Sequence, residues 1–131
     1  MKCLDDYLGC EDEMHKLEKK IKKLNIDKIY LGWATFKLEF VNIIPHDTEE
    51  VLGETNADRR YIKILSGQTD DILKDTLLHE IIHLIHATVG LDDDDVFIDE
   101  EQRCRLMTQG LLTLFRLNPD IKDILFHEEE I

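Results

Sequence analysis

One segment constrains this chain more than any other: LLHEIIHLIH, residues 77–86, an apolar run that carries three histidines and a glutamate. Leu77, Ile81, Leu84 and Ile85 fall together on one side of a helical wheel and commit that side to a core. His79 and His83 leave the helix on the other side, one turn apart. The pattern predicts a helix that starts near Thr69 or Asp70, where Asp70 and Asp71 suit the positive N-terminal end, and stops at Gly90. Such a helix is anchored by one face and presents ionisable groups on the other.

The flanking segments read as the rest of an α+β domain. Met14, Leu17, Ile21 and Leu24 recur at steps of three and four within 4–24, a helical period, with Lys16, Lys19, Lys20, Lys22 and Lys23 outward. IYLGWATFKLEFV alternates apolar and polar residues, the period of a strand with one face on a core. A proline break, a turn cluster at ETNAD and the β-rich run RYIKIL follow. Together they predict a small antiparallel sheet of about three strands. A third helix is expected over 98–117, before Asn118-Pro119, and a short last one over DIKDILFHEEE. No repeat or flexible linker divides the 131 residues, so a single domain, 1–131, with helices on one side of the sheet is expected.

Composition narrows the function classes. Hydrophobic residues make up 43% and charged residues 34% of the chain, a soluble globular balance. No apolar run reaches the ~18 residues of a membrane span, and the acidic N-terminal stretch lacks the apolar region of a secretory signal. The expected setting is the cytoplasm. The formal net charge of −13 gives direct nucleic-acid binding little electrostatic support. The acidic runs GLDDDDVFIDEE and HEEEI read either as solvated faces or as a docking surface for a basic partner. Cys3, Cys10 and Cys104 are odd in number and lack metal spacing, which fits reduced thiols rather than a disulfide framework.

The histidine helix carries the chemistry. Two imidazoles one turn apart can share a zinc ion at ~2.0–2.1 Å each. Glu80, turned about 100° from His79, can face a zinc-bound water without ligating the metal. Zinc brings the pKa of that water to about 7, and the adjacent carboxylate can accept its proton as general base. This is the HExxH arrangement of zinc metallopeptidases. Two helical histidines at the edge of a core, however, need no zinc. His86 lies a further turn along and reads as a cleft-wall or surface residue. His15, His46 and His127 have no companions at metal spacing.

With these residues placed, and with EEQRCRLMTQGLL on a downstream helix, the chain resembles the ImmA/IrrE-type zinc metallopeptidases, particularly small phage- or prophage-encoded members. The resemblance covers about residues 50–118. In that family a strand precedes the HExxH helix, and the next helix opens with a glutamate ligand in a pattern close to E-x-x-A-x-x-[FL]-A-x-x-L-L. Glu101, Cys104, Met107, Thr108, Leu111 and Leu112 occupy those places, with Cys104 and Thr108 departing from the usual alanines. The resemblance implies that His79, His83 and Glu101 hold Zn2+, that Glu80 activates water, and that RYIKIL is the edge strand beside the cleft, where a peptide can add as another strand. Glu100 and Asp99 remain rivals of Glu101, because Glu100 shares the stripe of Cys104, Met107 and Leu111.

The resulting expectation is a minimal zincin-like domain, gluzincin-like in its ligands. It would be a zinc-dependent peptidase that cuts a peptide bond in a specific intracellular protein such as a phage repressor. Its partner would be a protein or peptide substrate, with neither nucleic acid nor membrane involved. Two alternatives stand beside it. One is a SprT-like protease, against which the charge and the missing cysteine zinc ribbon weigh. The other is a non-catalytic acidic module that keeps zinc for structure and binds a basic or DNA-binding partner.

Overall fold

Residues 28–41 fold as a hairpin rather than one strand. Strand β1 (Lys28–Leu31) turns at Gly32-Trp33 into β2 (Ala34–Val41), with Leu31 opposite Ala34. Gly32 sits at φ +73°, at the first central position of this two-residue turn. Alternation places Ile29, Leu31, Ala34, Phe36 and Leu38 on one buried face and Thr35 and Lys37 in solvent. A computed structural model describes residues 15–45, 51–91 and 98–126. The acidic runs at 92–95 and 128–130, Cys3, Cys10, Met14, His46 and His127 lie outside them.

Two further strands, β3 (Gly53–Asn56) and β4 (Tyr61–Leu65), make the sheet four-stranded among the described residues, in the order β1-β2-β4-β3. The expectation of about three antiparallel strands is corrected: β4 pairs antiparallel with β3 but parallel with β2, so the sheet is mixed. The physical reason lies in the side chains. In β4, Ile62 and Ile64 have no exposed surface, which suits a strand flanked on both edges. The polar sequence GETN of β3 suits the rim. RYIKIL is therefore an interior strand, and the edge beside α2 belongs to β3. ETNAD is likewise half strand: the turn itself occupies Ala57–Arg60, where Asn56 Oδ1 accepts the Arg59 N–H at 3.0 Å.

Among the described residues four helices accompany the sheet: α1 (Lys16–Lys23), α2 (Asp70–Val89), α3 (Glu100–Leu117) and α4 (Pro119–Leu125). Leu17 and Ile21 of α1 are buried as expected, but Leu24 is exposed and Ile26 takes the next core position. Helix α2 runs from its N-cap Thr69 to Gly90, which adopts the left-handed conformation. Its apolar side, Leu73, Leu77, Ile81, Leu84 and Ile85, lies against the sheet and the other helices with at most 1% of each residue exposed. Helix α3 begins two residues later than its apolar pattern suggests, because Asp99 caps it in a reciprocal box with Gln102.

Buried polar groups fasten these pieces together. Glu18, fully buried on α1, accepts from the Gly67 N–H at 2.8 Å and from the Ser66 hydroxyl, holding the turn that leads into α2. Asn118 links α3 to β1 by accepting from Tyr30 N–H and donating to the Tyr30 carbonyl, each at 2.7 Å. Among the described residues no helix is long and apolar enough to cross a membrane.

Candidate metal centre and active site

The outward side of α2 and the edge strand β3 form the walls of a cleft of about 840 Å³. Asp75, Thr76, His79, Glu80, His83 and Ala87 line it from the helix, and residues 51–58 from the strand and its flanks. The amphipathic reading of α2 accounts for this placement: its apolar side is immobilised in the core, so the histidine side is held rigidly in view of solvent.

His79 and His83 are exposed, and their ε-nitrogens stand 3.2 Å apart with the rings at 79° to each other. Two nitrogen ligands at ~2.0–2.1 Å from a tetrahedral ion are ~3.3 Å apart. The helix alone thus presents two donors at the separation zinc requires. The same distance serves a ring-to-ring hydrogen bond when one imidazole carries its proton on Nε2.

Glu80 differs from the histidines in burial, with only 8% of its surface exposed. It lies at the flank of α2, where β3 covers it. The Thr55 hydroxyl lies 2.7 Å from Glu80 Oε1 and 3.0 Å from the Glu80 carbonyl, so its single proton serves one acceptor at a time. Gly53 makes the close approach of strand and helix feasible. A Cβ there would come within 2.8 Å of Glu80 Cγ and 2.9 Å of Thr76 Cγ2. Gln68, fully buried, braces the arrangement: its amide donates to the Leu52 carbonyl at 3.0 Å and to Leu65 at 2.8 Å, and its Oε1 accepts from Thr76 at 2.7 Å. Among the described residues, every buried side-chain nitrogen or oxygen has a partner.

The third expected ligand stands apart. Glu101 is exposed in the first turn of α3 and is not among the residues lining the cleft. Among the described residues no group of three His, Cys, Asp or Glu side chains is gathered as a metal cage. Cys104, Thr108 and Leu112, which follow Glu101 around the helix, are all exposed. Glu100 is also exposed, but it lies on the line of Met107, Gly110, Leu111 and Leu114, the side that packs on the core. The fit to zinc therefore rests on the histidine pair.

His86 is half-buried in the last turn of α2 and does not line the cleft, and His15 precedes α1 as its N-cap. Gly53, Thr55 and Gln68 went unrecognised in the sequence. Thr55 is 25 residues from Glu80, and no local spacing marks such a contact. The chain matches no known protein family, no curated protein and no solved structure.

Proposed function

We propose that this protein is a zinc-dependent peptidase of minimal zincin-like architecture, acting on a specific intracellular protein. The observation that carries the proposal is the 3.2 Å separation of the His79 and His83 ε-nitrogens beside a buried, hydrogen-bonded Glu80 in an open cleft. The order of elements agrees with it: a polar edge strand over the histidine helix, followed by a helix that opens with glutamates.

In this reading His79 and His83 would hold zinc, and the third place would fall to a carboxylate of the first turn of α3, whose glutamates do not line the cleft in this structure. The sequence pattern assigns that place to Glu101. Bound zinc supplies an acidified water and an electrophilic pull on the scissile carbonyl. Glu80 takes the proton from the attacking water and returns it to the leaving amine. The edge of β3 that β4 does not occupy aligns an extended substrate by backbone pairing.

Metal analysis tests this directly. Folded protein expressed with added zinc should carry about one ion per chain, and chelation should abolish hydrolysis of fluorescence-quenched, mixed-sequence peptides from a library randomised around the scissile bond. Folded protein with negligible zinc ends the proposal. Zinc bound stoichiometrically with no hydrolysis moves the assignment to the non-catalytic acidic module.

A further inference from the structure

Strand β3 faces two ways at once. The Leu65 N–H donates to the Leu52 carbonyl at 2.9 Å, so residues 52 and 65 form a hydrogen-bonded pair. Antiparallel alternation then makes 54–63 and 56–61 the next bonded pairs along the register Gly53↔Ile64 to Asn56↔Tyr61. The backbone N–H and C=O groups of Gly53 and Thr55 consequently point off the sheet, on the edge that β4 does not occupy. The side chain of Thr55 points to α2 and meets Glu80.

We infer that Thr55 is a positioning residue. Its hydroxyl holds the Glu80 carboxylate while its own backbone is available to pair with the chain to be cut. The base and the docking edge are thereby set by one residue, and the register of the bound peptide and the aim of the base are fixed together. Gly53 extends the arrangement, since its missing side chain lets the docking strand rest directly on Glu80 and Thr76. Hydrogen bonding to one oxygen leaves the other carboxylate oxygen to work in the cleft, and fixed aim is what general-base catalysis demands. The inference rests on the peptidase reading for its catalytic consequence but not for the hold on Glu80.

The test uses the full chain as parent, Thr55→Val and Thr55→Ser. Valine matches threonine in size, suits a strand and lacks the donor; serine keeps the donor. With zinc loaded, Thr55→Val should lower kcat on the quenched mixed-sequence peptide about tenfold to a hundredfold, with KM and zinc stoichiometry unchanged. Thr55→Ser should recover most of that loss. In the metal-free protein, three-bond NMR couplings along the Glu80 side chain should report one rotamer in the parent and the serine variant, and averaging in the valine variant. Parental kcat in Thr55→Val, equal losses in both variants, or an unchanged Glu80 rotamer in Thr55→Val each overturn the inference. If the parent hydrolyses no peptide, the peptidase reading falls, and the couplings alone decide whether Thr55 holds Glu80.

Discussion

The two regions expected to supply metal ligands are built by different means. On α2 the donors are neighbours on one helix, and the opposite side of that helix is locked into the core by five residues that are at most 1% exposed. Across from it, Thr55, Gly53 and Gln68 tie the edge strand down with side-chain contacts from distant sequence. Among the described residues the first turn of α3 is held by local support, the Asp99–Gln102 capping box, and Glu100 and Glu101 are both exposed. The firm contact between α2 and α3 lies lower down, where Gly110 packs against the Ile85 side chain. Residues 100 and 101 are some nine or ten positions above it, about 15 Å along the helix. The comparison teaches that two ligands at i and i+4 need one well-anchored helix, whereas a third ligand needs the angle between two helices to be right.

The sharpest way to break this contrast is on α2 itself. Glu80→Gln should retain zinc and fold yet lower peptide hydrolysis about 10²- to 10⁴-fold, while His83→Ala should lose stoichiometric zinc with little change in the melting of the metal-free protein, since its ring is exposed. Rate assays and metal analysis on the two variants separate the roles. Parental turnover in Glu80→Gln would remove the glutamate from the mechanism.

Next in size is the anchoring face. Ile81→Ala, at a site with no exposed surface, should cost about 2–5 kcal/mol in denaturant unfolding, because a cavity adds to the lost burial. Loss of zinc should follow unfolding rather than precede it. If zinc leaves while the fold remains intact, the helix is not the anchor described here.

Two glycines test the two regions separately. Gly53→Ala and Gly110→Ala should each destabilise the fold by about 1–3 kcal/mol through overpacking. Gly53→Ala should also depress hydrolysis beyond its effect on folding, since the new Cβ presses on Glu80. Gly110→Ala should shift the α2–α3 crossing and weaken zinc binding without touching Glu80. Matching effects of the two on kcat would erase the distinction between the walls.

The smallest stability effect belongs to the glutamates of α3. Glu100→Ala and Glu101→Ala should each change the stability of the metal-free protein by no more than about 0.5 kcal/mol, as exposed residues do. Zinc affinity then identifies the ligand: a drop in Glu101→Ala alone supports the motif assignment, and a drop in Glu100→Ala alone moves the ligand to the residue aligned with the buried side of α3.

Much of the framework was legible from local pattern. Helix α2 begins and ends where its acidic first turn and Gly90 place it, and Leu77, Ile81, Leu84 and Ile85 form the buried side. The 3.2 Å histidine pair follows from the same helical period, because residues four apart meet on one turn whatever the rest of the chain does. Pairing between strands was less legible. The expected three-stranded antiparallel sheet became a mixed sheet of four because Ile62 and Ile64 draw β4 into the interior and leave the polar β3 at the edge. Alternation identifies a strand but not its neighbours. The parts that only the tertiary structure decided are the long-range ones: Thr55 on Glu80, Gln68 between Leu52 and Thr76, Gly53 beneath the helix, and the exposed position of Glu101. Helical spacing is written in consecutive residues, whereas these contacts arise from which surfaces bury each other, and that is settled by the packing of the whole core.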